Sequence, residues 1–278
     1  METVDHHNIG DRRRTLLFRI VFIFILLWLV YAAISNTLFH QLQAPVLRYP
    51  YVDPVYWVMH LLRIPDAAVS NYTVAYIADA LLFITCIGAI VFPKKRIFIL
   101  LFLPIYFVYF IVYNSYGGHH THAGVGILLI PIPFLFSKKI TFSLLWEGLR
   151  YYTLFVYASS FLWKLFRFSF LQPDQGLRIM KNNLTPYIYY NPGSVLSGIY
   201  HWLIVHPLWA NVLYILGFVA EGLFIVGFFT KKFDRHLVLL SVILITGFWF
   251  LADALFFQLL ILSFTLVNFD KKRSESYI

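Results

Sequence analysis

Charge is scarce in this chain: Asp, Glu, Lys and Arg together make up 13% of its 278 residues, about half the share of an ordinary soluble domain. Cysteine is almost absent. The single Cys86 forbids an intramolecular disulfide and excludes paired-thiol redox chemistry and thiolate zinc sites. Acids are rarer than bases, 13 against 22, which leaves a formal net charge of +9. Apolar residues fill the space, at 60% of the chain, with 29 Phe, 19 Tyr and 7 Trp. No single aqueous core of this length hides so much apolar surface, so the expected solvent is lipid. The positive charge is then expected to mark membrane topology rather than a nucleic-acid partner.

The apolar runs are continuous rather than alternating, which excludes a transmembrane barrel and leaves helices. The expected fold is an all-α integral membrane protein, one transmembrane domain over residues 1–278. It has about eight spans, near 16–35, 72–92, 97–116, 122–137, 142–168, 205–229, 236–252 and 254–269, with Pro131 and Pro133 breaking or tilting the fourth. Basic clusters at Arg12–Arg14, Lys94–Arg96, Lys138–Lys139, Lys231–Arg235 and Lys271–Arg273 fall in every second connection. That pattern places both termini on the cytoplasmic side and makes the first span a signal anchor. Two long outer segments remain, 36–71 and 170–204, rich in Tyr, Trp and Pro, with a short interfacial helix expected at 54–63. They either roof a site or anchor the bundle at the interface.

Ionisable residues inside spans cost about 2.5–3.5 kcal/mol each on insertion scales, so each asks for a partner or a function. Counting ~1.5 Å of helical rise per residue from the basic clusters puts Glu221 and Arg150 at one level, with Glu147 a turn below. A buried ion-pair cluster of Glu221, Arg150 and Glu147 is expected there. A second polar level, nearer the outer face, gathers Asp79, Asp253, His119, His120, His122, Lys164 and Arg167, and an outward-opening pocket explains such convergence. Thr153, Tyr157, Ser160, Lys164 and Arg167 share one helical face, as do Tyr106, Tyr109, Tyr113 and Tyr116. The tyrosine stripe suits an aromatic ligand with polar atoms and suits an interfacial belt equally.

Lys164 is the first candidate for chemistry. Desolvation and the nearby Arg167 disfavour its charged form and leave an amine able to act as a base; the alternative is that Lys164 and Arg167 snorkel to head groups. His119, His120 and His122 are candidates for acid–base or hydrogen-bonding roles, or form a wet interfacial turn. Three histidines within four residues make a poor metal set, and no metal site is expected.

The segment Tyr157-Ala-Ser-Ser-Phe-Leu-Trp-Lys164-Leu, followed by Gln175-Gly176-Leu177, resembles the lysine signature of HTTM proteins, the transmembrane domain shared with vitamin K-dependent γ-carboxylases. Leu213 to Lys232, centred on Glu221, is similar to a helix of the wider DoxX-like group, and Asn114 to His122 stands where HTTM proteins carry an Asn/His motif. The resemblance implies that Lys164 serves as base toward a reduced isoprenoid naphthoquinone, assisted by one of the three histidines. Ser160 replaces the usual Gly of the lysine motif, the loop lacks its Trp, and no large domain is expected beyond the last span, so full protein carboxylation is not expected.

The expected function is therefore a quinol-linked or lipid-linked membrane enzyme with Lys164 as base and Tyr113, Tyr116, Tyr157, Arg167, Asp79 and Asp253 lining a ligand pocket. Its partners are the lipid bilayer and a lipophilic small molecule. The alternatives are a non-catalytic subunit docking a membrane or extracytoplasmic protein, and a small-molecule transporter.

Overall fold

The computed structural model describes residues 5–42, 54–117, 124–254 and 256–267, and among them there is no strand. In chain order the helices are α1 (Asp5–Ile34), α2 (Pro54–Leu61), α3 (Ile64–Ser70), α4 (Tyr72–Val91), α5 (Ile97–Gly117), α6 (Val125–Leu129), α7 (Lys139–Phe166), α8 (Gln175–Tyr190), α9 (Val195–Val205), α10 (Pro207–Leu223), α11 (Val226–Phe229), α12 (Asp234–Ala252) and α13 (Phe257–Leu260). Among the described residues five segments are long and apolar enough to cross a membrane: Arg12–Gln41, Tyr72–Val91, Ile97–Ser115, Pro207–Phe229 and Asp234–Ala252. They coincide with the expected first, second, third, sixth and seventh spans.

The other three expected spans differ in kind. The fourth is split at Pro131 into α6 and a 3-10 turn at Ile132–Leu135, and the eighth is α13 continued by a 3-10 turn at Ile261–Leu266. At ~1.5–2.0 Å per residue, the described part of each is shorter than the ~30 Å of a hydrocarbon core, and both expected spans include residues outside the described ones. α7 is long enough, with 28 residues, but amphipathic in an inverted sense. It buries Arg150 and Thr153 while exposing Leu144, Phe155 and Trp163. Polar residues inward and apolar residues outward is the arrangement that fits contact with a lipid bilayer. The long segments expected outside carry helices of their own, with α2 covering the expected short helix at 54–63.

The chain divides into two compact units, Met1–Trp146 and Glu147–Ile278. In the first, α4 packs along both α1 and α5. Its core is aromatic: Phe102 stacks on Tyr106 at 5.4 Å, Tyr109 on Tyr113 at 5.9 Å, and Trp28 meets Tyr113 edge-on at 6.1 Å. Tyr106 and Tyr109 are each 1% exposed, so these two residues of the tyrosine stripe are packing residues. Arg14, from the first basic cluster, donates to the carbonyls of Phe136 and Ser137 and lies over the Phe142 ring. It caps carbonyls that the end of the 3-10 turn leaves without helical partners.

The second unit packs α8 against α9, α10 and α12. Gly176 permits the closest approach: a Cβ there would lie 2.3 Å from the Ala210 carbonyl oxygen, a backbone atom that cannot swing aside. The Asn211 side chain accepts from the Gly176 amide at 3.0 Å, fixing α8 on α10. Replacing Gly176 with Val is expected to destabilise the purified protein by about 1–3 kcal/mol through overpacking, read as a lowered midpoint of thermal unfolding in detergent.

Candidate functional site

In the second unit, residues 147–166 of α7 carry two buried ion pairs, one near each end. At the C-terminal end the Lys164 ammonium donates to both carboxylate oxygens of Glu221 at 2.6 Å, and Ser160, one turn earlier on the same face, donates to Glu221 at 3.1 Å. The Glu221 side chain is 2% exposed and that of Lys164 25%, so the acid is sealed while the amine retains an opening. The ammonium also lies 5.7 Å from the centre of the Phe248 ring, within cation–π range. Phe168, at φ 53, turns the chain sharply after α7, and Ser169 then donates to the Lys164 carbonyl at 3.1 Å and lies 2.8 Å from the Tyr214 hydroxyl. Close by, Phe218 stacks between Phe161 and Phe170 at 4.6 and 5.2 Å. Flat rings thus accompany a buried acid–base pair.

Toward the other end, Arg150 grips Asp234 with two parallel bonds of 2.8 Å and donates at 2.8 Å to the carbonyl of Gly227. Asp234 sits in the first turn of α12, where the helix dipole favours an anion. Glu147 is held more loosely, 3.5 Å from Arg150 and 2.7 Å from the exposed Lys231.

The expected cluster of Glu221 with Arg150 is therefore corrected: Glu221 belongs to Lys164, and Arg150 belongs to Asp234, with Glu147 at its edge. The level count fails for two physical reasons. Helical side chains lean toward the helix N-terminus, so the heads of Lys164 and Arg150 both sit lower than their Cα positions. The rise from Glu221 to Lys231 is also not one straight helix, because α10 stops at Leu223 and α11 begins at Val226.

The remaining candidates separate by unit. In the first, Asp79 accepts from the backbone amides of Phe39 and His40 at 3.0 Å and faces the His40 Nδ1 at 2.6 Å. It anchors the 3-10 turn at Phe39–Gln41, and the His40 ring stacks on Tyr76 at 4.2 Å. Tyr113 is half-buried beside Trp28. In the second unit, Tyr157 is buried, whereas Arg167 is exposed with its guanidinium 4.1 Å from the Trp163 ring centre. Asp253 is exposed at the end of α12, at φ 49. His119, His120 and His122, and the Tyr116 side chain, lie outside the described residues. Among the described residues no three His, Cys, Asp or Glu side chains gather as a metal site.

Two partners escape a reading of the sequence alone. Asp234 stands among Lys231, Lys232 and Arg235 and is absorbed into a basic connection; its signal is its place in the first turn of a helix. His40 lies in a long segment between spans, and no local pattern pairs it with a carboxylate 39 residues away.

Arg150→Gln leaves the Asp234 carboxylate buried without its cation, and is expected to cost about 3–5 kcal/mol in the stability of the purified protein, measured by chemical or thermal unfolding in detergent. Asp79→Asn, which keeps the shape but can serve fewer of the three donors, is expected to cost about 1–3 kcal/mol by the same assay. It is also expected to raise amide hydrogen exchange at Phe39 and His40.

No family model, no curated protein and no solved structure matches this chain, and its function is read from this geometry.

Proposed function

We propose that the protein is a multi-pass membrane enzyme that holds a lipophilic weak acid, an isoprenoid naphthoquinol or a related phenolic lipid, against Lys164. The proposal includes both termini on the cytoplasmic side, which the alternation of basic clusters supports, and a site opening toward the outer face. The observation that carries it is the Lys164–Glu221 pair: a fully buried carboxylate, placed within an apolar helix, bonded at 2.6 Å to a lysine whose side chain is a quarter exposed. Such a pair is costly to bury and of doubtful net benefit to stability, and ionisable residues at membrane depth are functional by default.

The residues fit the chemistry of such a ligand. A phenolic hydroxyl needs a partner that binds its oxygen and accepts its proton, and a flat ring needs faces to lie on. Lys164 supplies the first and Phe248, with the Phe161–Phe218–Phe170 stack, the second. When bound, a reduced naphthoquinone supplies an oxidisable phenolate. Lys164 as an ammonium is the charged partner of Glu221; as an amine, its proton moved to the carboxylate, it is the base. Ser160 steadies Glu221 in either state, and the Ser169 contact to the Lys164 carbonyl fixes the end of the helix that presents the amine.

Protein purified in mild detergent and loaded with a naphthoquinol is expected to retain about one quinone per chain, quantified by solvent extraction. Lys164→Gln should weaken retention at least about tenfold, the loss of roughly 1.4 kcal/mol. Wild-type protein without quinone, together with a Lys164→Ala variant of unchanged behaviour, rejects the reading. A stoichiometric protein recovered on the 170–204 segment points instead to an assembly subunit.

A further inference from the structure

From Asn182 to Ala220 the sequence contains no Asp, Glu, Lys or Arg, although its residues up to 204 belong to a segment expected outside the spans. Water-exposed surface is where charged residues collect. Their absence over this stretch asks for another solvent.

α8 and α9 form a layer with two unlike sides. Met180 and Leu184 of α8, Tyr200 and Leu203 of α9 and Ala210 of α10 are buried together. From that shared core α8 exposes Arg178, Lys181, Asn182 and Asn183, whereas α9 exposes Val195, Ile199, Trp202 and Val205, with His201 at the margin of the arc. Val195, Ile199 and Trp202 follow i, i+4, i+7, so one apolar face runs along the helix, and Val195 is 82% exposed. With 11 residues, α9 measures only ~16 Å at ~1.5 Å per residue, about half of a ~30 Å hydrocarbon core. A helix with an apolar face and too little length to span is suited to the interface plane.

The same face continues onto a segment able to cross a membrane. His206 alone separates α9 from α10. The exposed Leu208, Val212, Leu216, Val219 and Leu223 of α10 follow i, i+4, i+8, i+11, i+15, a single stripe on the span candidate Pro207–Phe229. The Trp202 and Trp209 rings lie 6.4 Å apart, and His206 stacks on Trp202 at 4.6 Å. The His206 Nδ1, 2.8 Å from the Trp202 carbonyl, donates to it and holds the ring there. The two apolar faces therefore meet in an aromatic cluster, and tryptophan is the side chain that collects at membrane–water boundaries.

We infer that α9 is an interfacial helix, lying along the membrane with Val195, Ile199 and Trp202 in the acyl region of the leaflet that surrounds the start of α10, while the polar side of α8 faces water. Its partner is the lipid bilayer. The inference rests on the reading of α10 as a membrane span and is independent of the chemistry of Lys164.

Spin labels on single cysteines test it in the full chain reconstituted into phosphatidylcholine vesicles. Ile199→Cys and Val195→Cys report on α9, Leu216→Cys on the α10 stripe and Lys181→Cys on the polar side of α8; Cys86 is buried, and the unsubstituted chain gives its background. Each labelled chain is required to keep the thermal unfolding midpoint of the parent. Collision with oxygen, which concentrates in hydrocarbon, is compared with collision with a water-soluble nickel chelate. At Ile199 and Val195 the oxygen-to-nickel ratio is expected to match that at Leu216 and to exceed that at Lys181 at least about tenfold, equivalent to roughly 1.4 kcal/mol of exclusion of the chelate. A high ratio at Leu216 with both α9 positions as low as Lys181 overturns the inference alone. A ratio at Leu216 as low as that at Lys181 overturns the reading of α10 as a span together with it. Labels on α9 shielded from both reagents overturn the lipid assignment in favour of a protein cover.

Discussion

A full charge inside an apolar bundle has to be matched, and that requirement organises the second unit. α7 brings a lysine and an arginine into a buried face, and each is answered by a carboxylate from another part of the chain, Glu221 on α10 and Asp234 at the start of α12. The end of α11 follows the same logic. A helix that ends leaves carbonyls without amide partners, and Arg150 takes that of Gly227 while its fork closes on Asp234. Two long cations on one helix thereby tie together three segments that local propensity would leave independent.

Among the described residues of the first unit the constraint is met differently, by one buried carboxylate with no full-time cation beside it. Asp79 is satisfied by two consecutive backbone amides and by an imidazole, so a single acid on α4 fixes the turn that follows α1. Gln41 reinforces the turn by donating to the Ala33 carbonyl at 3.0 Å. Around it the aromatic residues of α1 and α5 stack edge-on and face-on, which conveys packing specificity where hydrophobicity cannot: in lipid an apolar side chain gains little by moving from bilayer to core. Tyr106 and Tyr109 belong to this packing, and a sequence that places tyrosines at helical spacing does not say whether they face a ligand, a head group or another helix.

Much of the helical architecture is legible in composition and spacing. The runs that begin at Tyr72, Ile97 and Pro207 are continuous and bounded by basic or proline residues, so their ends can be read within a few positions. The polar stripe through Thr153, Tyr157, Ser160 and Lys164 is legible because helical periodicity is local. The breaks near Pro131 and after Leu260 are less so, since an apolar run has the same composition whether it spans as one helix or folds as two short pieces.

Partner choice is where local information ends. The sequence by itself determined that the charged residues are few, that Lys164, Glu221 and Arg150 lie within apolar stretches, and therefore that each needs a counter-group. Which counter-group each one takes was decided by the tertiary structure alone, because it depends on the lean of side chains along α7, on the break after Leu223, and on the approach of Asp234 from a segment that reads as a basic connection. Coulombic pairing in a low dielectric is strong but short-ranged in its geometry. A turn of helix, about 5 Å, separates one partner from the next, and only the folded chain sets it.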